Sequence, residues 1–86
     1  MSKFQIATFT GKTNGITTNG KKYICLPYFL DPIKSTIFAE YDANKAIELP
    51  EYGLCNEYNL DLDFCDEVDI PQYKVTSRNR ITKQIA

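Results

Sequence analysis

The sequence predicts an all-β fold: a small five-stranded barrel with a protruding β-hairpin and at most one short helix. Three observations carry that expectation. Tyr and Phe together supply 13% of the chain while alanine is scarce, and branched and aromatic side chains fill a pleated surface well. Several runs alternate apolar and polar residues with a period of two, which suits a half-buried strand. Two Asn-Gly pairs, Asn14-Gly15 and Asn19-Gly20, are strong short hairpin signals because both residues tolerate positive φ. At 86 residues, the chain reads as one domain, 1–86.

Phe4 to Thr10 is the first expected strand, with Phe4, Ile6 and Thr8 on one face and Gln5, Ala7 and Phe9 on the other. Lys12 to Lys22 holds both Asn-Gly pairs and reads as a polar ribbon standing off the core. Tyr23 to Leu30 is the return strand, and Pro27, which lacks a donor, places it at an edge or a bulge. Asp31-Pro32 turns the chain into a third strand, Ser35 to Tyr41. Asp42 to Leu49 is the single helix candidate, capped by Asp42 and stopped by Pro50. Leu54 to Phe64 is the clearest strand, since Tyr58, Leu60, Leu62 and Phe64 alternate with Asn59, Asp61 and Asp63. Val68 to Pro71 reads as a loop or a short strand, and Gln72 to Thr82 as the last strand. Five strands with a small helix between the third and fourth match the layout of an OB-like barrel.

Composition narrows the chemistry. With no histidine, His general bases, Ser-His triads and Cys-His zinc sites are excluded. The three cysteines, Cys25, Cys55 and Cys65, are too few for a disulfide framework and suit a reduced, cytoplasmic setting. No apolar run is long enough for a membrane helix, and Met1 to Gln5 leads into no secretion-type apolar segment, so no membrane partner is expected. The carboxylates Asp61, Asp63, Asp66, Glu67 and Asp69 fit no calcium loop and read as a solvated face. No enzyme activity, cofactor or metal is expected.

The net charge of −1 conceals a strong asymmetry: residues 1–34 carry +4, residues 35–72 carry −9 and residues 73–86 carry +4. Such a distribution can separate a cationic working face from an anionic one. Single-strand binders combine a cationic path for phosphates with aromatic planes for bases. Lys21 and Tyr23 alternate onto one face at the base of the ribbon, beside Lys12 and Lys22. On the last strand, Lys74, Arg78 and Arg80 share a face, with Tyr73 adjacent. Arginine suits this role because its fork grips phosphate and its plane stacks on bases. The competing readings are a solvated hairpin with Tyr23 packed on the barrel, and cross-strand pairing of Arg78 and Arg80 with Asp61 and Asp63.

These residues resemble the small single-stranded-DNA-binding proteins of filamentous phages, the gene V class. The likeness lies in Gly20-Lys21-Lys22-Tyr23 after a glycine-containing ribbon, in Leu49-Pro50-Glu51-Tyr52-Gly53-Leu54 before a central alternating strand, and in Arg78-Asn79-Arg80-Ile81 near the end. It implies an OB-like barrel, a homodimer and largely sequence-indifferent coating of single strands in phage or mobile-element replication. It further implies phosphate contacts at Lys21, Arg78 and Arg80 and base stacking at Tyr23. The chain departs from that pattern where the ribbon arginines would stand, near Thr13 and Thr18, and in its acidic central strand and Glu40. The expected partner is single-stranded DNA, with single-stranded RNA open to the same chemistry. The −9 middle segment supports a rival expectation, a small acidic inhibitor or DNA mimic that occupies a host nucleic-acid-processing protein.

Overall fold

The computed structural model describes residues 3–27, 33–77 and 79–84. Among the described residues seven strands form two layers, and the all-β expectation holds. Strands β1 (Lys3–Phe9), β2 (Lys22–Pro27), β3 (Lys34–Glu40), β4 (Cys55–Tyr58) and β5 (Leu62–Asp69) make one antiparallel sheet in the order β4-β3-β2-β1-β5. Strands β6 (Tyr73–Ser77) and β7 (Arg80–Lys83) make a separate hairpin. The sheet is not closed into a barrel; β4 and β5 are its edges.

Both faces of the sheet are apolar. On one, Phe4, Ile24, Leu26 and Phe38 pack against Ile70, Tyr73 and Ile81, so the hairpin is the lid of this cluster. Phe4 and Phe38 meet edge to face, with ring centroids 6.1 Å apart. On the other face Ala7, Phe9, Tyr23, Cys25, Ile37 and Leu62 form a second cluster, with Cys55 packed against it. Leu62 and Cys55 come from opposite edges of the sheet, so the sheet curls around this cluster.

A three-residue 3-10 turn, Asn59–Asp61, enforces the curl. It joins the end of β4 to the start of β5. Those edges would stand about 19 Å apart in a flat sheet, and the chain from Tyr58 to Leu62 reaches at most about 14 Å. The turn is tied at both ends: the Asn59 N–H donates to the Ile33 carbonyl at 2.7 Å, and the Thr10 N–H donates to the Asp61 carbonyl at 2.8 Å. The expected strand from Leu54 to Phe64 is therefore two strands on opposite edges. Its alternation runs through the turn unbroken, which hides the break from a period-two reading.

Other expectations also change. Gln72 to Thr82 folds back as the β6–β7 hairpin, because Tyr73, Val75 and Ile81 all bury inward from two paired strands. Asp42 to Leu49 is not a helix. Asp42 closes a single turn, its Oδ1 accepting the Asn44 N–H at 2.9 Å and its carbonyl accepting the Lys45 N–H at 3.1 Å. Ile47 and Leu49 then pack onto the first cluster in irregular backbone. Residues 12–21 of the ribbon contain no strand and do not stand clear of the core. Asn14 Oδ1 accepts the N–H groups of Ile16 and Thr17, Thr17 is fully buried, and Asn19 donates to the Gly11 carbonyl. Only Gly20 takes a positive φ there, at 88°, so the Asn14-Gly15 pair makes an Asx turn in place of a mirror-image hairpin turn.

Strand β2 lies inside the sheet, with its β3 register shifting between Ile24 and Cys25. Among the described residues β1 pairs with β2 only as far as Cys25, which leaves Pro27 beside β3 alone. The remainder of the expected return strand, residues 28–30, and the Asp31-Pro32 turn lie outside the described residues. Val68 and Asp69 belong to β5.

Candidate nucleic-acid interface

The tyrosines assigned to base stacking are core residues. Tyr23 is 4% exposed, its ring meets Phe9 edge to face, and its hydroxyl accepts the Thr18 N–H at 2.7 Å. Tyr73 is equally buried, and its hydroxyl accepts the Leu49 N–H at 2.9 Å. Each ring fills an apolar cluster while its hydroxyl satisfies the backbone of a neighbouring loop. A base could stack on neither without opening the fold. That corrects the sequence reading of both residues, and the packed-tyrosine alternative holds for Tyr23.

The cations are placed differently. Lys12, Lys21, Lys22 and Lys74 are exposed, and Arg78 lies outside the described residues. Lys21 pairs with Glu40 at 3.5 Å. Lys22 opens β2 opposite Thr8. Lys74 stands on the outer face of the hairpin, opposite Thr82. Arg80 donates from Nε and Nη2 to Glu51 Oε1, at 2.9 and 2.5 Å, so its carboxylate partner is neither Asp61 nor Asp63. Lys21 and Arg80 thus belong to separate groups, each with its own carboxylate.

Around Arg80 the structure assembles a group that the sequence did not reveal. Residues 51–53 run alongside β7: Tyr52 bridges to Arg80, the Ile81 N–H donates to the Glu51 carbonyl at 2.8 Å, and the Gly53 N–H donates to the Asn79 carbonyl at 2.9 Å. Gly53 lets the segment lie close against β3 as well, since a Cβ there would lie 2.0 Å from Thr36 Cγ2. The Tyr52 ring is 57% exposed, and the Arg80 guanidinium sits 5.5 Å from its centroid. Lys74, Thr82, Arg80 and Tyr52 therefore lie across one outer surface built from β6, β7 and the 51–53 segment. A second tyrosine–cation contact involves Tyr58, half exposed on β4, with Lys34 Nζ 4.9 Å from the ring centroid. Tyr52 was missed because Pro50 to Gly53 reads as a turn, and a turn residue shows no face in the sequence pattern.

Ionisation argues against a nucleophilic role for Cys25. Burial pushes the Cys25 thiol up to about 12, and the nearby Cys65 acts in the same direction. Cys25 is then a neutral thiol at ordinary pH and no thiolate nucleophile. The hydrogen bond that Arg80 donates to Glu51, followed by the nearby Tyr52 and the Glu51 charge, raises the Arg80 pKa above its usual value.

Comparison of the chain with protein-family models, with curated proteins and with solved structures gives no match. The likeness to the gene V class rests on the quoted motifs alone.

Tyr23 can be separated from any binding role. Tyr23→Phe removes the acceptor of the Thr18 N–H, so it should lower unfolding stability by about 1–2 kcal/mol in urea titration. Oligonucleotide affinity should not change, because the ring never reaches solvent.

Proposed function

We propose that this chain is a non-enzymatic protein that binds single-stranded nucleic acid, with single-stranded DNA as its partner, and that it acts as a homodimer. The observation that carries the reading is the exposed Tyr52 ring with Arg80 against it and Lys74 on the same surface. A base stacked on Tyr52 would place its phosphate within reach of a guanidinium that already lies over the ring. Lys12, Lys21 and Lys22 are exposed cations that can extend the phosphate path. A role in coating single strands during phage or mobile-element replication, in a host cytoplasm, follows from the gene V likeness.

Fluorescence anisotropy with a labelled oligo-dT at low and high salt tests the reading, and no binding at low salt would end it. Tyr52→Ala should weaken binding about five- to 150-fold, the 1–3 kcal/mol of one stacked base, without altering the salt slope. Arg80→Ala should flatten the log–log salt slope by about 0.7, the share of one phosphate on a single strand.

The second copy has a candidate surface at the 3-10 turn. Leu60 is 81% exposed there, next to Tyr58, and Ile33 is exposed where its carbonyl anchors the turn. Apolar side chains grouped on a surface mark an interaction site more often than isolated ones do. Leu60→Glu should turn a dimer into a monomer by light scattering. An unchanged mass would remove this surface from the dimer.

One observation favours the rival reading, an acidic inhibitor of a nucleic-acid-processing protein. The open edge strand β5 exposes Asp63, Asp66, Glu67 and Asp69, and among the described residues Lys3 reaches Glu67 at 3.2 Å. Under this reading, an Asp61→Asn/Asp63→Asn variant loses partners that the parent chain captures from a host lysate. A variant that retains every partner counts against it.

A further inference from the structure

The two Asn-Gly pairs of the ribbon are held in opposite ways. An Asn-Gly step can react with itself, because the glycine backbone nitrogen, with no side chain in its path, can attack the Asn Cγ. That nitrogen must first give up its proton, so a hydrogen bond on the N–H protects the pair much as it protects against hydrogen exchange. Gly20 is protected in this sense: its N–H donates to the Phe9 carbonyl at 2.8 Å. Asn19 is fastened as well, its N–H donating to Thr13 Oγ1 and its Nδ2 to the Gly11 carbonyl, both at 2.9 Å. Gly15 is exposed, and its N–H makes no hydrogen bond to a described residue. Nothing lies within 4 Å of the place a Cβ would take there.

The Asn14 amide is also prepared for attack. Its Oδ1 accepts the N–H groups of Ile16 and Thr17 at 2.8 and 2.9 Å, and its Nδ2 donates to Thr17 Oγ1 at 2.7 Å. Attack on Cγ drives negative charge onto Oδ1, where two backbone donors already point, and such donors stabilise a developing oxyanion. From this arrangement we infer that Asn14 is a self-modification site of the folded protein, deamidating through a cyclic imide with Gly15, while the fold spares Asn19. The bond from Gly15 N to Asn14 Cγ forms and the Cγ–Nδ2 bond breaks. The amide nitrogen leaves as ammonia, taking up one proton in place of the one Gly15 gave up. Solvent water then opens the imide. Opening at Cγ gives an aspartate, which keeps both bonds to Oδ1 and strengthens them with its charge. Opening at the other carbonyl gives the β-linked isomer, which reroutes the main chain through the former side chain. That product breaks the turn in which the Asn14 N–H donates to the Thr17 carbonyl at 2.8 Å, and so unlatches the fully buried Thr17. None of this depends on nucleic-acid binding.

The test is to hold the purified full chain at mildly alkaline pH, with and without denaturing urea, and to follow both sites by peptide mass spectrometry. In native buffer Asn14 should convert about three- to tenfold faster than Asn19, the weight of the hydrogen bond that the Gly20 N–H must give up. In urea the two sites should convert at similar rates. Gly15→Ala should slow conversion at Asn14 and leave Asn19 unchanged; the substitution fits, since Gly15 does not take a positive φ and has open space beside it. Equal rates in native buffer, or a faster Asn19, would overturn the assignment. So would a preference for Asn14 that persists undiminished in urea, because it would then belong to the local sequence and not to the fold. Conversion of Asn14 only after unfolding would overturn it equally.

Discussion

The architecture depends on one constraint of chain length. Three residues must carry the backbone from one edge of a five-stranded sheet to the other. A flat sheet cannot satisfy them, so the sheet curls until β4 and β5 face across the second apolar cluster. That curl brings Leu62 and Cys55 together over Phe9, Tyr23 and Ile37. It also leaves Leu60 at the apex of the turn with no interior to enter. A small domain can bury only part of its apolar surface, and here the shortfall gathers at the crossover.

The hairpin solves a different problem. The opposite face of the sheet needs a cover, and β6 and β7 supply it with Tyr73, Val75 and Ile81 directed inward. An inward face on two paired strands fixes an outward one, and that is where Lys74, Thr82 and Arg80 stand. The candidate site is thus the reverse side of a packing requirement, and its geometry is as firm as the core beneath it. The 51–53 segment lies between this layer and β3, where Gly53 has no side chain to strike Thr36.

Much of the fold could be read from the residues. Strands β1, β2 and β3 follow from alternation that does point inward, as Phe4, Ile24 and Phe38 demonstrate. The reading failed where one pattern has two physical causes. Tyr58, Leu60, Leu62 and Phe64 keep period two through a 3-10 turn, yet Leu62 is buried and Leu60 is solvated. Lys74 to Thr82 keeps it through a reversal of direction. Residues 42–49 carry a cap and a stop, but Ile47 and Leu49 gain more by packing on the hairpin side than a two-turn helix could provide. The stacking residues were misassigned for a related reason. Tyr23 and Tyr73 have the amphipathic profile of ligand-facing rings, and their hydroxyls answer to loop backbone instead. Lys74 and Arg80 remain on the candidate surface because charge alone keeps them out of the core.

The register shift on β5 has a bearing on how this protein can change. Ala7 faces Phe64 and Ile6 faces Asp66, which leaves Cys65 as a residue without its own partner on β1. Leu62 before it belongs to the curled cluster. The acidic stretch after it begins a fresh alternation, with Val68 turned to the other cluster. The single spare residue works as a clutch between two halves of one strand. Drift in the charged half can proceed without disturbing the packing of the other, so selection can reshape the acidic rim while the framework stays constant.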